Sequence, residues 1–199
     1  MLASPKAAAE DPLTLIAFGD SLTQGYGLPP EEGFVPVLDR WLAAEGIAAT
    51  VVNAGVSGDT TAGGRARIGW TLSGAADAVI VALGANDMLR GVDPAAAAAN
   101  LDAILAEIAA RDLPVLLAAV PAAGNYGPDY KAAFDGMYPV LAERYGATLY
   151  PNFLAGLGAA TLREAAPLMQ PDGIHPNAEG VAKIVADIGP YVAALLAPD

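Results

Sequence analysis

The sequence predicts an α/β fold in which a parallel sheet lies between two layers of helices. Short apolar segments rich in β-branched residues recur along the chain, and segments with the apolar spacing of helices separate them. Such alternation forms right-handed βαβ crossovers, which place helices on both faces of a parallel sheet. We therefore expect a three-layer α/β/α sandwich.

Five apolar segments are the predicted strands. They are residues 13–18, 49–53, 77–83, 113–120 and 147–150. Because each is a nearly continuous apolar run rather than an alternating one, we expect each strand to be buried on both faces. The first strand, LTLIAF, is followed directly by Gly19-Asp20-Ser21, so the first turn of the chain carries a serine hydroxyl.

Four longer segments are the predicted helices. They are residues 34–46, 93–112, 128–146 and 176–197. The second has clear start signals, with Asp93 as its N-cap and Pro94 at the first helical position. Gly46 ends the first helix, whereas Pro139 and the Gly189-Pro190 pair predict bends or breaks in the last two.

Length and composition indicate one globular domain. The chain has 199 residues, of which 54% are hydrophobic and 16% charged, and no linker or repeat divides it. We expect residues 13–199 to form this domain and residues 1–12 to be a flexible N-terminal tail. The sequence contains no run of about 18 apolar residues, so it predicts no membrane span. The tail lacks the apolar core of about 7–15 residues that an export signal needs, so it follows a removed signal or is simply frayed.

Charge and residue types exclude several classes of protein. Lys and Arg total 10 against 22 Asp and Glu, and the net charge of −12 would repel nucleic acid and anionic membrane surfaces. Without cysteine there is no disulfide and no thiolate nucleophile. One histidine and no cysteine leave too few ligands for a transition-metal site, so we expect no metal. The G-x-S-x-G elbow, the P-loop and the dinucleotide fingerprint are all absent from the sequence.

Four polar clusters are predicted to lie at the carboxyl ends of the strands, where a parallel sheet binds its ligands. They are GDSLTQG (19–25), AGVSGDT (54–60), GANDM (84–88) and DGIHP (172–176). His175 is the only histidine in the chain, so it is the only imidazole base available to a serine such as Ser21. Asp172 lies on the turn just before it and is a candidate to orient its far ring nitrogen.

Each candidate also has an ordinary structural interpretation. Ser21 fits the N-cap of a following helix, His175 a helix cap and Asp172 a turn. Gly58 and Asn86 would offer hydrogen-bond donors to an oxyanion, but a loop glycine and a turn asparagine are equally ordinary. The functional interpretation gains its weight from the coincidence of all four clusters at one predicted edge of the sheet.

The clusters, taken in order, resemble the sequence blocks of the GDSL, or SGNH, family of serine hydrolases. The matching residues are Gly19-Asp20-Ser21-Leu22, Gly58, Gly84-Ala85-Asn86-Asp87 and Asp172-Gly173-Ile174-His175-Pro176. The strings VVNAGVSGDT, LGANDMLRG and NYG (125–127) are similar to the branch of bacterial arylesterases and periplasmic thioesterase/lysophospholipase enzymes. The resemblance implies the SGNH hydrolase fold, a flavodoxin-like arrangement of five parallel strands.

The resemblance also implies the roles of the site residues. Ser21 is the expected nucleophile, His175 its general base and Asp172 the residue that orients the base. The backbone N–H groups of Ser21 and Gly58 and the side chain of Asn86 form the expected oxyanion hole. Three neighbouring acids are expected to be structural: Asp20, Asp59 and Asp87. The family chemistry requires no cofactor.

The function expected on this basis is a serine esterase acting on small-molecule esters through an acyl-enzyme intermediate. Short- to medium-chain acyl or aryl esters are the expected substrates, with thioesters and lysophospholipids as further substrates of the branch. The resemblance places the protein in the periplasm or outside the cell, although the sequence is also compatible with the cytoplasm. The sequence carries no signal for the oligomeric state.

Three other functions remain open from the sequence. A carbohydrate O-acetylesterase and an acyltransferase would use the same triad, and a flavodoxin-like binding module would use the same sheet edge without catalysis. Apolar residues late in the chain are candidates for an acyl or aryl pocket, although core packing is the more ordinary role of each. They are Tyr126, Phe153, Leu154, Leu157, Leu168 and Met169.

Overall fold

The computed structural model describes residues 11–158 and 162–197, and five strands form one fully parallel sheet in the order β2-β1-β3-β4-β5. The strands are β1 (Leu13–Gly19), β2 (Ala49–Gly55), β3 (Ala78–Ala82), β4 (Val115–Ala118) and β5 (Thr148–Tyr150). All five predicted strands are therefore confirmed, with ends that shift by up to a few residues. Most of the predicted N-terminal tail, residues 1–10, lies outside the described residues.

Helices occupy the connections between the strands and the segment after the last strand. They are α1 (Ser21–Gln24), α2 (Phe34–Ala44), α3 (Thr61–Thr71), α4 (Ala85–Leu89), α5 (Pro94–Ala109), α6 (Pro128–Tyr145), α7 (Leu162–Ala165) and α8 (Ala178–Leu195). Short 3₁₀ helices cover Pro30–Glu32, Gly124–Tyr126, Ala155–Leu157 and Ala166–Leu168. The four predicted helices correspond to α2, α5, α6 and α8, and Asp93 caps α5 by accepting the Ala95 N–H at 2.9 Å.

The core has two halves, one on each face of the sheet. Alternate residues of β1 point to opposite sides, so that Leu15 joins a cluster with α2 and α8, whereas Ile16 joins a cluster with α3, α5 and α6. Leu38 of α2 and Leu101 of α5, one from each cluster, are fully buried. The predicted three-layer sandwich is confirmed. Among the helices of residues 11–158 and 162–197, none combines the length and the hydrophobicity that a membrane span requires.

The structure corrects two expectations about individual elements. The strands β2 and β5 are not buried on both faces, because they form the edges of the sheet, and Val52 of β2 is 43% exposed. The predicted alternative of a break at Pro139 or Pro190 is absent, since α6 and α8 each run continuously through their proline. Proline removes only one N–H donor from the helix, and buried residues on both sides hold each helix in place.

The strand order determines which chain segments meet. Because β1 lies between β2 and β3, its last residue, Gly19, pairs with Gly55 on one side and with Ala82 on the other. The polar clusters that follow these three strands therefore lie side by side. The order 2-1-3-4-5 is the flavodoxin-like one, in which ligands bind at the switch point between β1 and β3.

Candidate active site

The turn from β1 into α1 leaves no room for any residue larger than glycine at position 19. A Cβ on Gly19 would lie 2.1 Å from Thr23 Oγ1 and 2.7 Å from the Ala82 carbonyl oxygen. Glycine thus lets the strand pass directly into the helix, with Ser21 as the first helical residue. Asp20, and not Ser21, is the N-cap, because its side chain accepts the Leu22 N–H at 3.0 Å. The Ser21 hydroxyl is therefore left for another partner.

That partner is His175. Its Nε2 lies 2.8 Å from Ser21 Oγ, and its Nδ1 lies 2.7 Å from Asp172 Oδ2. A cap role for His175 is excluded because Asn177 is the N-cap of α8, accepting the Gly180 N–H at 3.0 Å. The structure therefore brings Ser21, His175 and Asp172 into one hydrogen-bonded line.

Asp172 is held as a carboxylate. The hydrogen bond from His175 lowers its pKa most, and the backbone N–H groups of His175 and Ile174, which donate to Oδ1 at 3.0 and 2.9 Å, lower it further. Together they bring the pKa of Asp172 to about 2. A carboxylate beside Nδ1 keeps that nitrogen protonated, so that Nε2 is the nitrogen free to accept a proton from Ser21.

Three groups with donor capacity lie around the same cavity, which has a volume of about 420 Å³ and is lined by Ser21, Gly58, Asn86 and His175 among others. Among the residues with described positions, neither the Ser21 nor the Gly58 backbone N–H has an acceptor. Asn86 directs one amide hydrogen to Asp20 Oδ2 at 3.4 Å, which leaves its second hydrogen available. Gly58 has a φ of +78°, a conformation that favours glycine.

The neighbouring acids have structural partners. Asp87 is buried and accepts both the backbone N–H and the hydroxyl of Thr61, at 2.8 and 2.6 Å, which anchors the start of α3. Asp59 binds Arg67 Nε at 2.7 Å, and the same guanidinium donates to the carbonyls of Gly19 and Ala54 at 2.9 Å each. These contacts hold together the ends of β1 and β2 beneath the site.

Asp20 differs from these acids because its charge is poorly compensated. It is 1% exposed, and burial raises its pKa to about 6, against the opposing effect of the Leu22 N–H. Its carboxylate touches both the start of α1 and the amide of Asn86. Asp20 therefore connects the turn that carries Ser21 with the residue that offers an amide donor.

Sequence reasoning missed two residues that contact the loop of His175. Gln170 Nε2 donates to the carbonyls of Tyr26 and Pro176 at 2.8 and 3.0 Å, and the Gln170 backbone N–H donates to the His175 carbonyl at 2.7 Å. The ring of Tyr26 lies 4.8 Å from the His175 ring, centroid to centroid. Neither residue belongs to a cluster of chemically reactive side chains, so the sequence alone offered no signal for them.

Of the six residues expected to form an acyl pocket, Leu154 lines the cavity and the others do not. Phe153, Leu157 and Met169 lie in the core with exposures of 1%, 8% and 7%, and Leu168 packs against that core. The reason is that this part of the chain docks on α8, so closely that a Cβ on Gly156 would lie 2.4 Å from the Lys183 carbonyl oxygen.

Tyr126 is the remaining member of that expected set. It is 45% exposed and donates its hydroxyl to the Leu89 carbonyl at 3.3 Å, outside the cavity lining. Apart from Leu154, the apolar walls of the cavity come from residues outside the expected set: Leu22, Tyr26, Ala85, Met88, Leu89, Val120 and Ile174.

In the described part of the chain, no group of three or more histidine, aspartate and glutamate side chains could hold a metal ion.

Comparison with known proteins agrees with this architecture. The model of the GDSL-like lipase/acylhydrolase family matches residues 17–183. The esterase TesA of Pseudomonas aeruginosa is 38% identical, and the match covers 98% of this chain and 94% of TesA. An arylesterase of Vibrio mimicus is 36% identical, and the match covers 90% of this chain and 90% of the arylesterase. The crystal structure of AlinE4, an SGNH-hydrolase family esterase, superposes with a TM-score of 0.77 at 42% identity, covering 96% of this chain and 100% of AlinE4. The chain belongs to the GDSL-like lipase/acylhydrolase family of SGNH serine hydrolases.

Proposed function

We propose that this serine ester hydrolase works by acyl transfer to Ser21, with His175 as general base and Asp172 as the residue that orients the base. The observation that supports this most is the hydrogen-bonded line from Asp172 through His175 to Ser21, which ends in a cavity of about 420 Å³. The backbone N–H groups of Ser21 and Gly58 and the amide of Asn86 are the proposed oxyanion donors.

The first half of the reaction acylates the enzyme. Ser21 Oγ forms a bond to the ester carbonyl carbon while its proton moves to His175 Nε2, and the carbonyl oxygen becomes an oxyanion that accepts the three donated hydrogen bonds. Collapse of this intermediate breaks the bond to the leaving oxygen, which takes the proton from His175. The alcohol departs, and the acyl group remains on Ser21.

The second half releases the acid. A water molecule gives its proton to His175 Nε2 and attacks the acyl carbon, and a second oxyanion forms in the same place. When the bond to Ser21 Oγ breaks, the proton returns from His175 to Ser21. In both halves, the ionised Asp172 stabilises the imidazolium that forms on His175. The pKa of Asp172, about 2, keeps this carboxylate ionised at neutral pH.

Short- to medium-chain acyl esters and aryl esters are the substrates we propose. The walls of the cavity are mostly apolar, and its volume lies in the range of sites for small molecules, roughly 300–1,000 Å³. The names of the Pseudomonas and Vibrio relatives, esterase and arylesterase, support the same substrate class. Thioesters and lysophospholipids are a further part of this proposal. Polar carbohydrate esters fit these walls less well.

A location in the periplasm or outside the cell is also part of the proposal, and it rests on the family resemblance. Fractionation of cells that express the complete natural gene, followed by immunoblotting, tests it. Recovery in the cytoplasmic fraction alone would contradict it.

The catalytic proposal is tested with Ser21→Ala and the matched control Ser73→Ala, which alters an exposed serine outside the cavity lining. We expect Ser21→Ala to lose hydrolysis of p-nitrophenyl butyrate by a factor on the order of 10⁴ to 10⁶ and to lose labelling by a fluorophosphonate probe. Ser73→Ala should keep both. Undiminished hydrolysis or labelling in Ser21→Ala would remove Ser21 from the mechanism, and a wild-type protein that the probe never labels would favour a binding module.

A further inference from the structure

Arg90 connects the two parts of the chain that carry proposed oxyanion donors. Its Nη2 donates to the carbonyl oxygen of Gly58 at 2.9 Å. Its backbone N–H donates to the carbonyls of Asn86 and Asp87, at 3.2 Å each, where α4 ends. The side chain therefore reaches from the helix of Asn86 across to the loop of Gly58.

The other restraints on the loop of Gly58 act on its neighbours. The Val56 N–H donates to the Gly19 carbonyl at 3.1 Å, and the Asp59 carboxylate binds Arg67 at 2.7 Å. The Asp59 N–H donates to the Val56 carbonyl at 3.1 Å, and the Ser57 hydroxyl donates to Gln24 Oε1. Gly58 itself, with a φ of +78°, has no side chain to limit its rotation. A donor that binds the Gly58 carbonyl restrains the torsion angles on which the direction of the Gly58 N–H depends.

Arg90 also places a positive charge next to this loop. A Cβ on Gly58 would lie 3.6 Å from Arg90 Nη2, so the guanidinium lies against the backbone of Gly58. No carboxylate in the described stretches of the chain forms an ion pair with Arg90. In a chain of net charge −12, this cation favours negative charge at the nearby donors.

We propose that Arg90 is a positioning residue for the oxyanion hole. It holds the Gly58 N–H in the orientation that the transition state requires, and it fixes the position of this donor relative to the Asn86 amide. Arg90 does not touch the reacting atoms in this mechanism. The inference rests on the proposed function, because it presupposes that Gly58 is an oxyanion donor.

Truncation of Arg90 tests the inference, because a positioning residue should affect kcat much more than KM. Loss of a whole oxyanion donor lowers kcat by about 10²–10³, so a donor that is present but misdirected should cost part of that. We expect Arg90→Ala and Arg90→Met to lower kcat for p-nitrophenyl butyrate by roughly 10- to 100-fold, with KM changed by less than about twofold. Arg90→Lys, which keeps the charge and one donor, should recover part of the loss.

The matched control is Arg40→Ala. Arg40 is also exposed, and its Nη2 also donates to a backbone carbonyl at 2.9 Å. That carbonyl belongs to Glu31, which does not line the cavity, whereas Gly58 does. We expect Arg40→Ala to keep the kcat of the wild type. Thermal unfolding of each variant shows whether it is folded at the assay temperature, and Arg90→Met keeps part of the aliphatic stem in case Arg90→Ala is unstable.

Chemical rescue gives a readout that a purely structural role would not change. Because the Arg90 side chain is exposed, millimolar guanidinium can reach the space that truncation leaves. We expect guanidinium chloride to raise the kcat of Arg90→Ala severalfold, whereas sodium chloride at the same ionic strength should not, and neither salt should raise the kcat of the wild type or of Arg40→Ala.

Several results would overturn the inference. One is an unchanged kcat in Arg90→Ala, and another is a rise in KM alone, which would make Arg90 a substrate-binding residue. A loss of kcat that guanidinium cannot restore in a folded Arg90→Ala is a third. If Ser21→Ala retains activity, the proposed function fails instead, and that outcome is measured separately from the behaviour of Arg90.

Discussion

His175 Nε2 lies 2.8 Å from Ser21 Oγ, although 154 residues separate the two in the sequence. Ser21 follows the interior strand β1, whereas His175 precedes the last long helix, so the contact requires two separate loops to meet above one sheet edge. Gln170 contributes to this meeting, because its amide donates to one carbonyl beyond α1 and to another in the loop of His175.

We expect Gln170→Met to lower kcat by roughly tenfold or more and to leave KM nearly unchanged, because methionine has a similar length but donates neither hydrogen bond. A displacement of His175 by about 1 Å is enough to produce such a loss. Steady-state kinetics on p-nitrophenyl butyrate, together with the melting temperature, measure the effect. A fall in melting temperature with unaltered kcat would show that Gln170 only stabilises the fold.

We expect Asp172→Asn to lower kcat by a factor on the order of 10⁴, because an amide lets the imidazole adopt the wrong tautomer and does not stabilise its protonated form. KM should change little. The control is Asp129→Asn, at an exposed aspartate in the first turn of α6 and outside the cavity lining. A loss of less than about tenfold in Asp172→Asn would mean that Asp172 does not orient the base.

We expect Asn86→Ala to lower kcat by about 10²–10³ with little change in KM, because a side-chain oxyanion donor acts mainly in the transition state. The rate of phosphonylation of Ser21 should fall in parallel, since that reaction also builds negative charge on an oxygen in the same place. Equal loss of substrate binding and turnover, with phosphonylation unaffected, would assign Asn86 to substrate binding.

Asp20 should make the protein less stable as the pH rises from about 4 to about 6. Its folded-state pKa of about 6 lies above the ordinary value of 3.8, so the folded state binds the proton more tightly, and ionisation above pH 6 costs the folded state about 3 kcal/mol. Asp20→Asn removes this ionisation. We expect the difference in unfolding free energy between the variant and the wild type to grow by about that amount between pH 4 and pH 7.

Urea unfolding at several pH values measures this difference. The Asp172 carboxylate acts in a separate window with the opposite sign, because its pKa of about 2 lies below 3.8 and its stabilisation is lost as the pH falls from about 4 through 2. A difference between Asp20→Asn and the wild type that stays constant from pH 4 to pH 7 would contradict the raised pKa of Asp20.

Leu154→Trp should shorten the acyl chain that the enzyme accepts, because Leu154 lines the cavity. We expect kcat/KM for p-nitrophenyl octanoate to fall at least about tenfold while that for the acetate changes by less than about threefold. Val140→Trp, at a position that is 57% exposed and outside this cavity, is the control. An equal loss on both esters would show that Leu154 does not contact the distal part of the acyl chain.

Several features of the fold were predictable because their causes are local. The N-cap at Asp93 and the glycine stop at Gly46 depend on neighbouring residues only, and both are present in the structure. Continuous apolar runs correctly located all five strands, but they did not distinguish central strands from edge strands such as β2. The position of a strand in the sheet depends on the connections around it, which the strand's own residues do not encode.

The sequence by itself determined the alternation of strands and helices, the four polar clusters and the single histidine that a serine nucleophile must use. Only the tertiary structure decided that Asp20 contacts the amide of Asn86, that Phe153 faces the core, and that Arg90 reaches the Gly58 carbonyl. The physical reason is that periodicity and capping act within a few residues, whereas these contacts depend on how separate elements dock. The docking of the late loops on α8 thus divides their apolar residues between the core and the cavity.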